Sequence, residues 1–122
     1  MSMVLLFGAA MAMADACGKD VRQAALNRCA ATAYARADGA LNRQWTGTYA
    51  AMKRRGAGGG AFGHAAALLA SQRAWIAYRD AQCRVEGGRY AGGSAQGMTV
   101  AFCKANLTTV RAAQLKELIW QD

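Results

Sequence analysis

Few side chains in this sequence could do chemistry, and their spacing favours crosslinks and ion pairs over catalysis. There is a single histidine, His64, and only seven Asp and Glu among 122 residues. Past residue 14 the serines are Ser71 and Ser94, and no histidine is placed to activate either one. His64 borders a glycine-rich run and reads as a solvated residue at a helix start. The acids are scattered rather than coupled, so a general acid–base pair is missing. No enzyme is expected, and no motif asks for a cofactor. Cys17, Cys29, Cys83 and Cys103 could in principle hold a metal, but no C-x-x-C pair exists and one histidine cannot complete the set. An even count in a small exported chain reads instead as two disulfides. Four cysteines permit three connectivities. The local pairing, 17–29 with 83–103, is favoured because each bridge would then close a short stretch.

The densest stretch is Ser71–Cys83, SQRAWIAYRDAQC, with a Trp, a Tyr, two Arg, an Asp and a Cys and no helix breaker. Leu68, Gln72, Trp75, Arg79 and Cys83 recur at steps of four, three, four and four, which is one face of a helix. An arginine on a mostly apolar face needs a partner. The elements around it must supply an apolar surface, a carboxylate and a second thiol.

Those elements read as helices. Residues AVILMFWYC make up 54% of the chain, much of it alanine, and there is no proline. Val/Ile/Thr-rich alternation of strand type is absent. The first helix is expected from Val21, capped by Asp20, to about Lys53, with Tyr34, Ala37, Leu41, Trp45, Tyr49 and Met52 as its apolar stripe. Gly39 and Gly47 could bend it. Arg55–Gly63 holds five glycines in nine residues and must turn. Its Gly58–Gly63 run matches G-x-G-x-x-G, but without a preceding strand the match is empty. A second helix follows over His64–Arg84, then a second glycine-rich connection. Ser94 is expected to cap a third helix reaching Trp120, with Met98, Phe102, Ala105, Thr109, Ala112, Leu115 and Ile119 inward. The fold class is all-α: a small antiparallel three-helix bundle stapled by two disulfides.

Uniform helical rise sets the first two helices level where residue numbers sum to about 118. Asp38 then stands beside Arg79, and the two are expected to form a buried ion pair.

Residues 1–14, MSMVLLFGAAMAMA, are apolar, uncharged and end in an A-x-A pattern. They read as a signal peptide cut near Ala14, too short for a membrane anchor. Residues 15–122 then form one domain, periplasmic or secreted. Fifteen Lys and Arg against seven acids give a net charge of +8. That charge suits acidic partners such as envelope polymers or lipid head groups. Nucleic acid is not expected as a partner of an exported protein.

The chain resembles the LprI-type lysozyme inhibitor family. Ala37-Asp38-Gly39-Ala40-Leu41-Asn42 is similar to the family's A-D-x-x-L-N. Gln72-Arg73-Ala74-Trp75-Ile76, Tyr78-Arg79-Asp80-Ala81 with Cys83, then Cys103 and Leu107–Arg111 continue it in order. The resemblance implies an exported, disulfide-bearing helical domain that inhibits a lysozyme-type glycoside hydrolase. Such clefts hold a pair of carboxylates, so a basic loop residue, Arg54, Arg55 or Arg89, is expected to enter one. The alternative is a basic envelope protein held at anionic polymers or lipid head groups through Lys53-Arg54-Arg55, without inhibitory activity. The net charge speaks against approach to basic animal lysozymes unless the contact face is locally acidic.

Overall fold

The computed structural model describes residues 17–119; the expected leader with its cleavage point, and Trp120, lie outside them. The expected all-α bundle forms. Helix α1 spans Gln23–Arg54, α2 His64–Gly87 and α3 Gln96–Glu117, with 3-10 turns at Gly59–Ala61 and Gly88–Tyr90 and no strand among the described residues. The helices run up, down and up. None is long and apolar enough to cross a membrane.

Alanine content keeps α1 unbroken for 32 residues despite Gly39 and Gly47. Its end is chemical. Gly56 takes a left-handed conformation (φ 62°) and donates its N–H to the Lys53 carbonyl, while Lys53 and Arg54 face the negative end of the dipole. Asp20 is not the N-cap. That position belongs to Arg22, and Asp20 instead accepts the Arg22 backbone N–H (3.1 Å) and its guanidinium (2.6 Å). The Arg22 side chain, then its N–H, hold the Asp20 carboxyl below its usual range. Ser94 does not cap α3 either. Ala95 holds that place, and the Ser94 carbonyl accepts from Asn27 Nδ2 (3.3 Å).

Packing is uneven along the bundle. Large side chains gather where α1 ends, α2 begins and α3 ends: Leu41, Met52, Leu68 and Leu115 are buried, with Trp45, Tyr49, Trp75 and Leu118 against them. Trp45 stacks on Tyr49 at 5.2 Å. The opposite end has disulfides in place of large apolar groups. Cys17–Cys29 and Cys83–Cys103 both bridge Cα atoms 5.4 Å apart, in the favoured pairing. Beside the second bridge, buried Gly87 lets α2 lie on Val100 of α3, where a side chain would collide.

Helix α3 carries contacts to both neighbours, whereas α1 and α2 touch each other least. The inner face of α3 is therefore wider than one stripe. Thr108, not the expected Thr109, is buried, and Thr109 is exposed. Thr48, fully buried on α1, donates to the Leu115 carbonyl at 3.0 Å and ties α1 to α3.

Two stability outcomes follow. The Cys83→Ser/Cys103→Ser double variant should lose about 3 kcal/mol, the value for closing a loop of this length. Thr48→Val should lose about 1 kcal/mol, the net worth of one buried hydrogen bond. Denaturant melts at fixed oxidation state measure both, and an unchanged midpoint in either variant would contradict the packing described.

Candidate functional site

The motif residues of α2 meet α3 and the N-terminal half of α1 in the middle of the bundle. Arg79 is the centre, only 7% exposed. Its guanidinium lies near two rings, 5.1 Å from Trp75 and 5.5 Å from Tyr34. Its Nε donates to Asp80 Oδ1 at 2.9 Å, and Nη1 reaches Thr108 Oγ1 at 3.4 Å. The same rings lie near further cations. Lys104 Nζ stands 5.7 Å from Tyr34, and the Arg111 guanidinium 5.8 Å from Trp75. The result is a cluster in which three cations, Lys104, Arg79 and Arg111, share the rings of Tyr34 and Trp75.

An ion pair holds Lys104, and hydrogen bonds hold Arg111. Asp80 Oδ1 also lies 3.7 Å from Lys104 Nζ, so one carboxylate serves two cations. Arg111 has neutral partners, donating Nε to Gln72 Oε1 (2.9 Å) and Nη2 to Ser71 Oγ (3.0 Å). Burial among these groups pulls its pKa below the usual guanidinium value. Beside Tyr34 and Lys104 the cluster opens onto a groove of about 480 Å³, lined also by Gln96 and Val100.

The expected ion pair of Asp38 with Arg79 is not made. No salt bridge joins them among the described residues, and Arg79 pairs with its neighbour Asp80. Level register sets Asp38 beside Arg79, but Tyr34, Trp75, Asp80 and Thr108 already take up the guanidinium's contacts. Of the other motif positions, Gln72, Trp75, Asp80 and Arg111 join the cluster. Leu41 is core, while Asn42 and Arg73 are exposed and Asp38 is half-buried. Sequence reasoning missed Tyr34, Lys104 and Thr108. Lys104, Thr108 and Arg111 recur at steps of four and three, a pattern that could have marked one face of α3.

The cluster has no nucleophile beside a base, and its one carboxylate is engaged with two cations. It is suited to holding helices and presenting charge. No group of three or more His, Cys, Asp or Glu among the described residues could hold a metal ion. His64 is half-buried rather than free in solvent, with its ring edge-on to Phe62 at 5.0 Å.

The three arginines expected to meet a partner differ. Arg55 is half-buried, donating to the Leu118 carbonyl (2.9 Å) and to Met52 Sδ (3.2 Å). Arg54 is exposed at the same end. Arg89 is exposed at the other end, in the turn after α2, 5.6 Å from the Tyr90 ring. That turn is held by Gly93 N–H to Tyr90 O (2.8 Å) and Gly92 N–H to Gln96 Oε1 (3.0 Å). Helix α2 is 24 residues long, so Arg54 and Arg89 stand about 36 Å apart.

Comparison with known proteins adds to this geometry. The model of the family described as lysozyme inhibitor LprI matches residues 14–115. The chain belongs to the LprI family. The match spans both disulfides and the whole cation–ring cluster. An uncharacterized protein of Rhizobium meliloti (strain 1021) is 44% identical over 108 residues, covering 84% of this chain and 78% of that protein. No solved structure matches this LprI member.

If the cluster positions α2, Arg79→Ala should lose about 2–4 kcal/mol, two desolvated cation–ring contacts. Asp38→Ala should lose less than about 1 kcal/mol. Equal losses in denaturant melts would restore the Asp38 pairing and remove the cluster as the organising contact.

Proposed function

We propose that the protein inhibits a lysozyme-type glycoside hydrolase and that the Gly88–Tyr90 turn is the part that enters the enzyme cleft. Membership of the LprI family carries the first half of this reading. The second half rests on what an inserting group needs. A cleft built on two carboxylates attracts a guanidinium, and affinity is highest when that group is already held in place. Arg89 lies against Tyr90 in a turn closed by backbone hydrogen bonds and flanked by the Cys83–Cys103 bridge. The Arg54 guanidinium has no ring contact or hydrogen bond among the described residues to hold it in place. Arg55 is committed to Leu118. At about 36 Å apart, Arg54 and Arg89 cannot share one cleft.

The protein acts outside the cytoplasm, where two disulfides persist, after loss of residues 1–14. It has no catalytic role of its own and needs no cofactor.

The test is the rate at which several lysozyme classes lyse bacterial cells, at modest salt, with and without the purified chain. The wild-type chain should slow at least one class. Arg89→Glu should weaken inhibition by about thirtyfold, the scale of an interface hot spot, while Arg54→Glu stays within about twofold. If the two variants exchange behaviour, the α1–α2 end is the contact. If the wild-type chain slows no class, the inhibitor reading is dropped.

A further inference from the structure

Helix α1 carries a row of cations that the fold does not use. Arg28, Arg36, Arg43 and Arg54 are all exposed. None joins a salt bridge or hydrogen bond with another described residue. Arg28 has only a through-space attraction to Asp20. At about 100° per residue the four lie within roughly 80° of one another around the helix. Along it they are spaced at about 12, 10 and 16 Å. The one carboxylate on α1, Asp38, falls outside that arc. Between the arginines on that arc lie Thr32, Gly39, Thr46 and Ala50, so the row stands on a strip of backbone and small side chains.

The row borders a groove. Beside Arg36 an open trough of about 510 Å³ runs between α1 and α3, floored by Ala33, Ala37, Ala40 and Thr109 and closed by the Cys17–Cys29 bridge. Its lining is mostly apolar, with Arg36 supplying the charge at its edge.

We infer that this face binds a strand of acidic polysaccharide. Carboxylates spaced along the strand pair with the arginines, and the C–H face of a ring lies on the alanine floor beside Arg36. A linear row of forked cations suits a linear polyanion. A bilayer surface fits less well, because no side chain larger than threonine lies between the arginines to enter the lipid. Single-stranded nucleic acid would want aromatic platforms, and this strip has none. The inference does not depend on inhibition of a hydrolase, since Arg36 and Arg43 lie on α1 and the Gly88–Tyr90 turn follows α2.

The experiment measures binding of the purified chain to polygalacturonate, with neutral dextran, vesicles containing anionic lipid and an oligonucleotide as parallel arms. Polygalacturonate should bind most tightly of the four and release the protein as salt rises. Arg36→Gln/Arg43→Gln should weaken that binding on the order of tenfold. Arg84→Gln/Lys116→Gln removes the same charge from exposed positions elsewhere and should stay within about twofold. Circular dichroism checks that both variants remain helical, and the lysis assay with Arg36→Gln/Arg43→Gln should be unchanged. Equal weakening by both double variants would reduce the effect to net charge and overturn the proposal. So would tighter binding to vesicles or oligonucleotide, or no binding to polygalacturonate.

Discussion

The buried guanidinium of Arg79 sets the terms for the middle of this bundle. A charge taken out of water must be compensated on all sides. Here the compensation comes from two rings, one carboxylate and one hydroxyl, contributed by all three helices. Tyr34 fixes α1, Trp75 and Asp80 fix α2, and Thr108 fixes α3. Because α1 and α2 meet so little directly, a cation shared through Tyr34 is one of the few things that orients them. Aromatic rings do this without demanding a buried carboxylate, and Asp80 itself stays exposed.

The three zones of the bundle are stabilised by different physics. Apolar burial dominates around Leu41, Met52, Leu68 and Leu115, cation–ring contacts hold the centre, and covalent bridges secure the far end. The glycine-rich connections differ for the same reason. The one beside the bridges is tied by hydrogen bonds and can present Arg89 in a fixed pose. The other lies at the end that holds the large apolar side chains, and Gly56, Gly58 and Gly60 there take left-handed conformations.

Much of this was legible in the sequence, because helical periodicity is a one-dimensional signal. The step pattern of Leu68, Gln72, Trp75, Arg79 and Cys83 marked the inner face of α2, and local spacing indicated the cysteine pairs. Partner identity was harder. Register arithmetic gives the level of two residues on neighbouring helices but not their direction around the axis. Asp38 was therefore matched to Arg79 while Tyr34, one turn earlier, took the contact. Caps failed for a related reason: Asp20 and Ser94 each lie within three residues of a helix start, yet neither side chain makes the capping bond. A total of cations does not reveal the arginine row on α1, because the row is defined by their angle around one helix.

The disulfide connectivity has a consequence for how the chain matures. Each cysteine is bonded to the next one along, Cys17 to Cys29 and Cys83 to Cys103, so neither loop encloses the other. A polypeptide threaded N-terminus first into an oxidising space presents its thiols in that same order. Simple sequential oxidation therefore gives the native pattern, with no wrong bridge to undo. The chain also lacks proline, which removes prolyl isomerisation as a delay. Such a protein can reach its working form without a disulfide-shuffling or peptidyl-prolyl catalyst.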